Sequence, residues 1–129
     1  MRHWITATAV VLLLFAHLGT ASASGFMLVN QEGLEEMMGD GAQLTIVDVR
    51  EPYLFRRGHI PGAINIPYDD AHGRILNELS PEERIVFVCH GGPMGDELAQ
   101  ILVRNGYKRV YNLRGGMRRW RGPLEKGER

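Results

Sequence analysis

The sequence predicts an α/β fold in which a largely parallel five-stranded sheet carries helices on both faces. Short apolar or β-branched runs alternate with segments of helical period along the chain. Two of these runs, Leu44-Thr45-Ile46-Val47-Asp48-Val49 and Ile85-Val86-Phe87-Val88, lack the polar alternation of a half-solvated strand and read as strands buried on both faces. Glycine and proline stand at the joints between the segments.

The first strand expected is Phe26-Met27-Leu28-Val29. Asn30 can cap the helix that follows, with Glu32 in its first turn and Leu34, Met37 and Met38 on its apolar face, and Gly39-Asp40-Gly41 stops it. The strand through Val47 comes next, then a polar stretch from Arg50 to Arg57. Ile60-Pro61-Gly62-Ala63-Ile64-Asn65-Ile66-Pro67 reads as a turn and a short strand bounded by prolines. Tyr68 to Leu79 has a weaker helical pattern, and Ser80-Pro81-Glu82-Glu83 is a turn into the strand ending at Val88. A helix from Asp96 to Asn105 is closed by Gly106, Val110-Tyr111-Asn112-Leu113 is a strand, and a last helix runs from Gly115 to about Arg121, ended by Gly122-Pro123. The tail beyond Gly122 reads as loose.

In parallel sheets of this kind, sites form at the carboxyl ends of the strands. Cys89, the single cysteine of the chain, stands at such an end and is followed by His90-Gly91-Gly92-Pro93-Met94-Gly95. A strand ending in cysteine, then a short glycine-rich loop, then a helix, turns backbone N–H groups toward the sulfur, and the helix dipole adds positive potential. That is a cradle for an anion, and thiolates and persulfides are anions. A buried core cysteine would not need glycines behind it. Asp48-Val49-Arg50 and Leu113-Arg114 lie at strand ends by the same pattern.

Several motifs in order make the chain resemble the rhodanese (sulfurtransferase) superfamily: Ile46-Val47-Asp48-Val49-Arg50-Glu51-Pro52, Gly58-His59-Ile60-Pro61-Gly62-Ala63-Ile64-Asn65-Ile66-Pro67, the Cys89 loop, and Gly106-Tyr107 with Val110 to Leu113, Gly115-Gly116-Met117 and Trp120. The resemblance implies a three-layer α/β/α domain in which Cys89 is the sulfur-accepting nucleophile, His90, Gly91, Gly92, Pro93, Met94 and Gly95 form the active-site loop, and Asp48 and Arg50 line or support the site. It also departs from the family at two positions: the usual Arg five residues after the cysteine is Met94, and the following Ser is Gly95. An Arg could pair bidentately with the sulfonate end of thiosulfate, whereas a thioether offers apolar surface and a weak acceptor. The expected reactants are a small sulfur donor and a thiol or cyanide acceptor, with a protein persulfide as a further candidate partner.

The other titratable residues read as less central. Asp48 and Arg50 flank Val49 and suggest a structural ion pair that holds the loop beyond them. His90 reads as a rim histidine, His59 as a hydrogen bonder fixing its loop, and His72 as a surface residue. The histidines and Asp69-Asp70 show no metal-ligand spacing, and no cofactor is expected. Arg114, Arg118, Arg119 and Arg121 read as a solvated face that could steer anionic donors.

Residues 1–23 read as a secretory signal, with Arg2 and His3 as the basic region, Ala9 to Ala16 as the apolar core, and Ala21-Ser22-Ala23 as the cleavage site. The expected product is one domain over 24–129, periplasmic or secreted, with no membrane association after cleavage. Loss of Arg2 leaves 14 basic against 15 acidic residues, a net of −1, which gives no case for nucleic acid. Two other readings accompany sulfur transfer. One is a non-catalytic binding module. The other is arsenate reduction or phosphate-ester cleavage, against which the short loop argues because, by resemblance, those versions have one residue more and a terminal Arg.

Overall fold

The computed structural model describes residues 25–128, and in it the alternation resolves into β1 (Met27–Val29), α1 (Gln31–Gly39), β2 (Thr45–Asp48), α2 (Pro52–Arg57), β3 (Ile64–Asn65), α3 (Tyr68–Glu78), β4 (Ile85–Val88), α4 (Pro93–Arg104), β5 (Val110–Leu113) and α5 (Gly116–Arg119). The five strands form one sheet in the order β1-β5-β4-β2-β3, and every pairing is parallel. The proposed signal and its cleavage site lie outside the described residues.

Side-chain alternation along the strands sorts the core into two layers. Val47, Val49, Ile85, Phe87, Cys89 and Val110 face α3 and α4, where they meet Ala71, Ile75, Leu98, Ala99 and Leu102. Ile46, Val86, Val88 and Leu113 face the opposite way, toward Leu34 of α1, Phe55 of α2 and Trp120 beyond α5. β4 is central and all four of its residues are buried, which is why its sequence shows no alternation. The sulfur of Cys89 therefore belongs to the α3/α4 layer.

Three elements differ from the sequence expectation. α2 occupies part of the stretch read as polar loop; Pro52 stands at its start, where a missing N–H costs nothing. α4 begins at Pro93 rather than Asp96 for the same reason. The tail is held down: His59 and Glu125 exchange backbone hydrogen bonds of 2.9 and 2.8 Å, Gly127 N–H donates to Arg56 O at 2.8 Å, and the Trp120 indole donates to Pro123 O at 3.0 Å. Asn30 caps α1 as expected, accepting from Gly33 N–H at 2.8 Å.

Candidate functional site: the Cys89 loop

The connections out of β2 and β4 open the crevice in which the site lies. These strands are neighbours, yet β2 leads into α2 on one face and β4 into α4 on the other. Adjacent strands whose helices leave to opposite faces part at their carboxyl ends. Cys89 is the first residue past β4 at this point. It is 1% exposed, and its Sγ accepts a hydrogen bond from Gly92 N–H at 3.0 Å.

The loop proper is His90, Gly91 and Gly92; Pro93, Met94 and Gly95 are already the first turn of α4. The amides of Met94 and Gly95 therefore belong to a first helical turn, whose N–H groups have no intrahelical acceptor, and Pro93 among them has no N–H to offer. Gly92 turns the chain at φ +127°, a region that side chains rarely adopt.

The rear wall of the loop comes from α5. Met117 N–H donates to Cys89 O at 2.8 Å, and Arg118 N–H donates to His90 O at 3.0 Å. Because a trans peptide sets its N–H opposite its C=O, these two bonds turn the N–H groups of His90 and Gly91 away from α5. Gly116 makes the approach possible: its φ is +56°, and a Cβ there would lie 2.4 Å from Cys89 O. The helix dipole and the donated amides thus act on the loop from α4 and α5 together.

The front of the loop meets the β2–α2 connection. His90 Nε2 lies 2.9 Å from Glu51 Oε2. The Glu51 carboxyl is held below the usual carboxylate range, first by its own backbone N–H and then by His90. Next to this pair is a cleft of about 90 Å³ lined by Val49, Glu51, Pro52, Pro67, Tyr68, Asp69 and Met94. Behind it, the Tyr68 hydroxyl and His72 Nε2 both hydrogen-bond Glu97, lowering that carboxyl's pKa in the same order of importance, and the bond to Glu97 raises the Tyr68 phenol. The cleft lining is apolar and acidic, with no Lys or Arg.

Asp48 and Arg50 do pair, with Arg50 Nη2 2.7 Å from Asp48 Oδ2, at 1% and 7% exposure. Asp48 lies on the Ile46 side of β2, opposite the layer that holds Cys89. Arg50 Nη2 also donates to Gly58 O at 2.8 Å, so the pair fixes the α2 segment rather than the sulfur. His59 works beside it, with Nδ1 2.8 Å from Phe55 O and its ring stacked on Phe55 at 3.7 Å. Arg114 looks toward β1: its N–H donates to Val29 O at 2.8 Å, and it lines a surface concavity with Leu28, Val29 and Asn30. The arginine beside the loop is Arg118, whose Nη1 would lie 3.5 Å from a Cβ on Gly91.

Sequence reasoning missed Glu51, Gly116 and Asn112 as parts of the site. Asn112 is 0% exposed on β5, and its Nδ2 donates to Gly92 O at 2.9 Å and to Asp96 Oδ1 at 2.7 Å. A polar residue inside a buried strand needs a partner, and that question would have led to the loop. The glycine pair Gly115-Gly116, one residue past β5, is likewise a signal for positive φ or close approach.

Comparison with known proteins agrees with this geometry. A family model described as a rhodanese-like domain matches residues 30–123. The chain is 33% identical over 104 residues to the "Putative sulfur carrier protein YrkF" of Bacillus subtilis, covering 81% of this chain but only 56% of that protein. It is 30% identical over 92 residues to a protein named sulfurtransferase from Allochromatium vinosum, covering 71% of this chain and 85% of that one. Among solved structures, a rhodanese-like domain protein from Staphylococcus aureus aligns with a TM-score of 0.70 at 29% identity over 78% of this chain and 98% of its own. With its parallel five-stranded sheet and its cysteine loop at the carboxyl end of the central strand, the chain belongs to the rhodanese-like family, several of whose members are named sulfurtransferases.

Proposed function

We propose that this protein carries sulfane sulfur on Cys89, taking it from a donor and passing it to a thiophilic acceptor. The observation that carries the reading is the sulfur itself, shielded from water at the end of β4 and met by Gly92 N–H at 3.0 Å. In the first step the Cys89 thiolate attacks the terminal sulfur of the donor. One S–S bond forms to Cys89, the bond between that sulfur and the donor breaks, and the electron pair leaves with sulfite or with a thiolate. In the second step a thiolate or cyanide attacks the outer sulfur of the persulfide and releases the Cys89 thiolate. The fixed Gly92 N–H stabilises the anionic sulfur without reorganisation of water.

The donor we infer is an organic or protein persulfide in preference to thiosulfate. The cleft beside the loop offers the Met94 thioether, Tyr68 and two prolines for an apolar leaving group, and Glu51 and Asp69 repel a sulfonate. Losing one charge-assisted contact to an oxyanion costs about 1.5–3 kcal/mol, roughly ten- to a hundredfold in affinity. The names of relatives as sulfur carrier and sulfurtransferase support the same reading. We also propose export directed by residues 1–23, which the basic, apolar and small-residue order of that stretch supports; an intact Met1 on protein recovered from an exporting host would overturn it.

Intact mass after incubation with a low-molecular-weight persulfide, and separately with thiosulfate, tests the function. One added sulfur with the persulfide, absent in Cys89→Ser, is the expected result. No added sulfur from either donor would leave a binding module as the reading.

A further inference from the structure

Among the side-chain nitrogen and oxygen atoms buried in the described residues, one has no partner: Oδ1 of Asn112. The amide cannot be turned round to satisfy it, because both Nδ2 hydrogens are committed to acceptors, Gly92 O at 2.9 Å and Asp96 Oδ1 at 2.7 Å. A buried oxygen left unbonded is costly, and it persists where the rest of the group is needed. What Oδ1 faces is Gly95. A Cβ on that residue would fall 2.0 Å from Oδ1 and 2.6 Å from the amide carbon, so the hydrogen standing in its place points at the oxygen in a weak C–H contact. Gly95 is thus the residue that admits the Asn112 amide.

Gly92 connects this amide to the sulfur. It sits at φ +127° with no side chain to hold it, and it is gripped at both ends: its N–H donates to Cys89 Sγ, and its carbonyl receives Asn112 Nδ2 as well as Asp96 N–H. We propose that Asn112 is a positioning residue for sulfur transfer, reaching from β5 to orient Gly92 so that its N–H meets the sulfur of Cys89, and that Gly95 is the second half of the device. This rests on Cys89 as the reacting group.

The test reads the reactivity of Cys89 and the fold separately. Alkylation of Cys89 by iodoacetamide is followed as a function of pH in the wild type, Asn112→Ala, Asn112→Asp, Gly95→Ala and the Gly95→Ala/Asn112→Ala double variant, with thermal unfolding of each. Asn112→Ala should slow alkylation at neutral pH by roughly tenfold, the scale of a misplaced charge-stabilising donor, and move the profile to more alkaline pH. Asn112→Asp should be worse than Ala, because a carboxylate would face Asp96 and the Gly92 carbonyl with nothing to donate. Gly95→Ala should resemble Asn112→Ala on its own and add little to it, since its clash is with the amide. An unmoved profile in folded Asn112→Ala, or effects of Gly95→Ala and Asn112→Ala that simply multiply, would overturn the proposal. Should Asn112→Ala not fold, Asn112→Ser decides by the same profile. Alkylation does not depend on sulfur transfer: a wild type that takes up no sulfur counts against the proposed function, and an unmoved profile counts against Asn112.

Discussion

The two flanks of Cys89 are built from different materials. Toward β2, α3 and the start of α4, the loop meets side chains: Glu51, Asp69, Tyr68 and Met94 line the cleft, and Glu97 stands behind them. Toward β5 and α5 it meets mainly backbone, with Met117 and Arg118 N–H groups on the Cys89 and His90 carbonyls and Gly116 permitting the contact. Asn112 is the one buried side chain on that flank that grips the loop. The backbone flank shapes the loop, and the side-chain flank faces what enters. Changes to the backbone bonds of the first, and to the glycine that admits them, should therefore act on every donor alike, and changes to side chains that face the entering donor should separate one donor from another.

The largest expected effect comes from Gly116→Ala. The new Cβ would lie 2.4 Å from Cys89 O and 2.7 Å from the His90 carbonyl carbon, in a backbone region costly to any side chain. The loop or α5 has to move, and sulfur transfer should fall by roughly a hundredfold or more with every donor, with about 2–4 kcal/mol lost in thermal unfolding. Gly115→Ala is the control. Its φ of +74° carries a similar backbone penalty, but the Cβ would meet the Arg119 side chain, which can swing away. Equal losses from the two would show that backbone strain alone, and not the approach to Cys89 O, governs this flank.

Met94→Arg comes next and acts on the other flank. It should raise kcat/KM for thiosulfate by roughly tenfold, about 1.4 kcal/mol, and leave a neutral persulfide unchanged or slower. Met94→Gln serves as the polar, uncharged control. A rise shared by both donors would break the division of labour between the flanks.

How much of this the sequence disclosed follows from the range over which each signal acts. β4 and the cysteine loop were legible because a buried strand, a turn and a helix start lie within about a dozen consecutive residues, from Ile85 to Asp96. The parallel sheet was legible from alternation alone. The role of α5 was not, because Gly116 and Cys89 are neighbours only through the pairing of β4 with β5. The same holds for Glu51, which reaches His90 from the end of a neighbouring strand. Asp48 and Arg50 were correctly read as a pair, but their face of the sheet depends on the parity of β2 against the two core layers. α2 and the true start of α4 were carried by Pro52 and Pro93 at first helical positions, a local signal read too weakly.

A smaller effect is expected from the carboxylates. Glu51 and Glu97 have folded pKa values below their ordinary ones, held there by a backbone N–H and His90 in the first case and by Tyr68 and His72 in the second. The sign is that of depressed acids: the stabilisation they give is full above the ordinary carboxylate range and is lost only as pH falls through the folded values. The flank therefore stays negative from neutral pH down through that range, and its preference against thiosulfate relative to a neutral persulfide should hold until then. Glu51→Gln should improve thiosulfate by about two- to fivefold at low ionic strength, measured as kcat/KM. A donor ratio that drifts across the mildly acidic range, where these groups remain charged, would show that the two carboxylates do not set it.

The smallest effect should come from Arg118. Its backbone N–H holds His90 O, and its guanidinium lies along Gly91 without an ion pair among the described residues. It brings a positive charge beside the loop from the backbone flank. A charge that is exposed to solvent acts mainly on encounter, and its influence falls off within a Debye length of about 8–10 Å at ordinary ionic strength. Arg118→Gln keeps the backbone bond and removes the charge, so the loop should stay formed and unfolding should be unchanged. kcat/KM for thiosulfate should fall by about two- to threefold at low salt, the difference should vanish as salt is added, and a neutral persulfide should not respond. The same loss with both donors at every salt concentration would mean that the Arg118 side chain helps to build the loop, and that the constructing flank reaches further along α5 than its backbone bonds show.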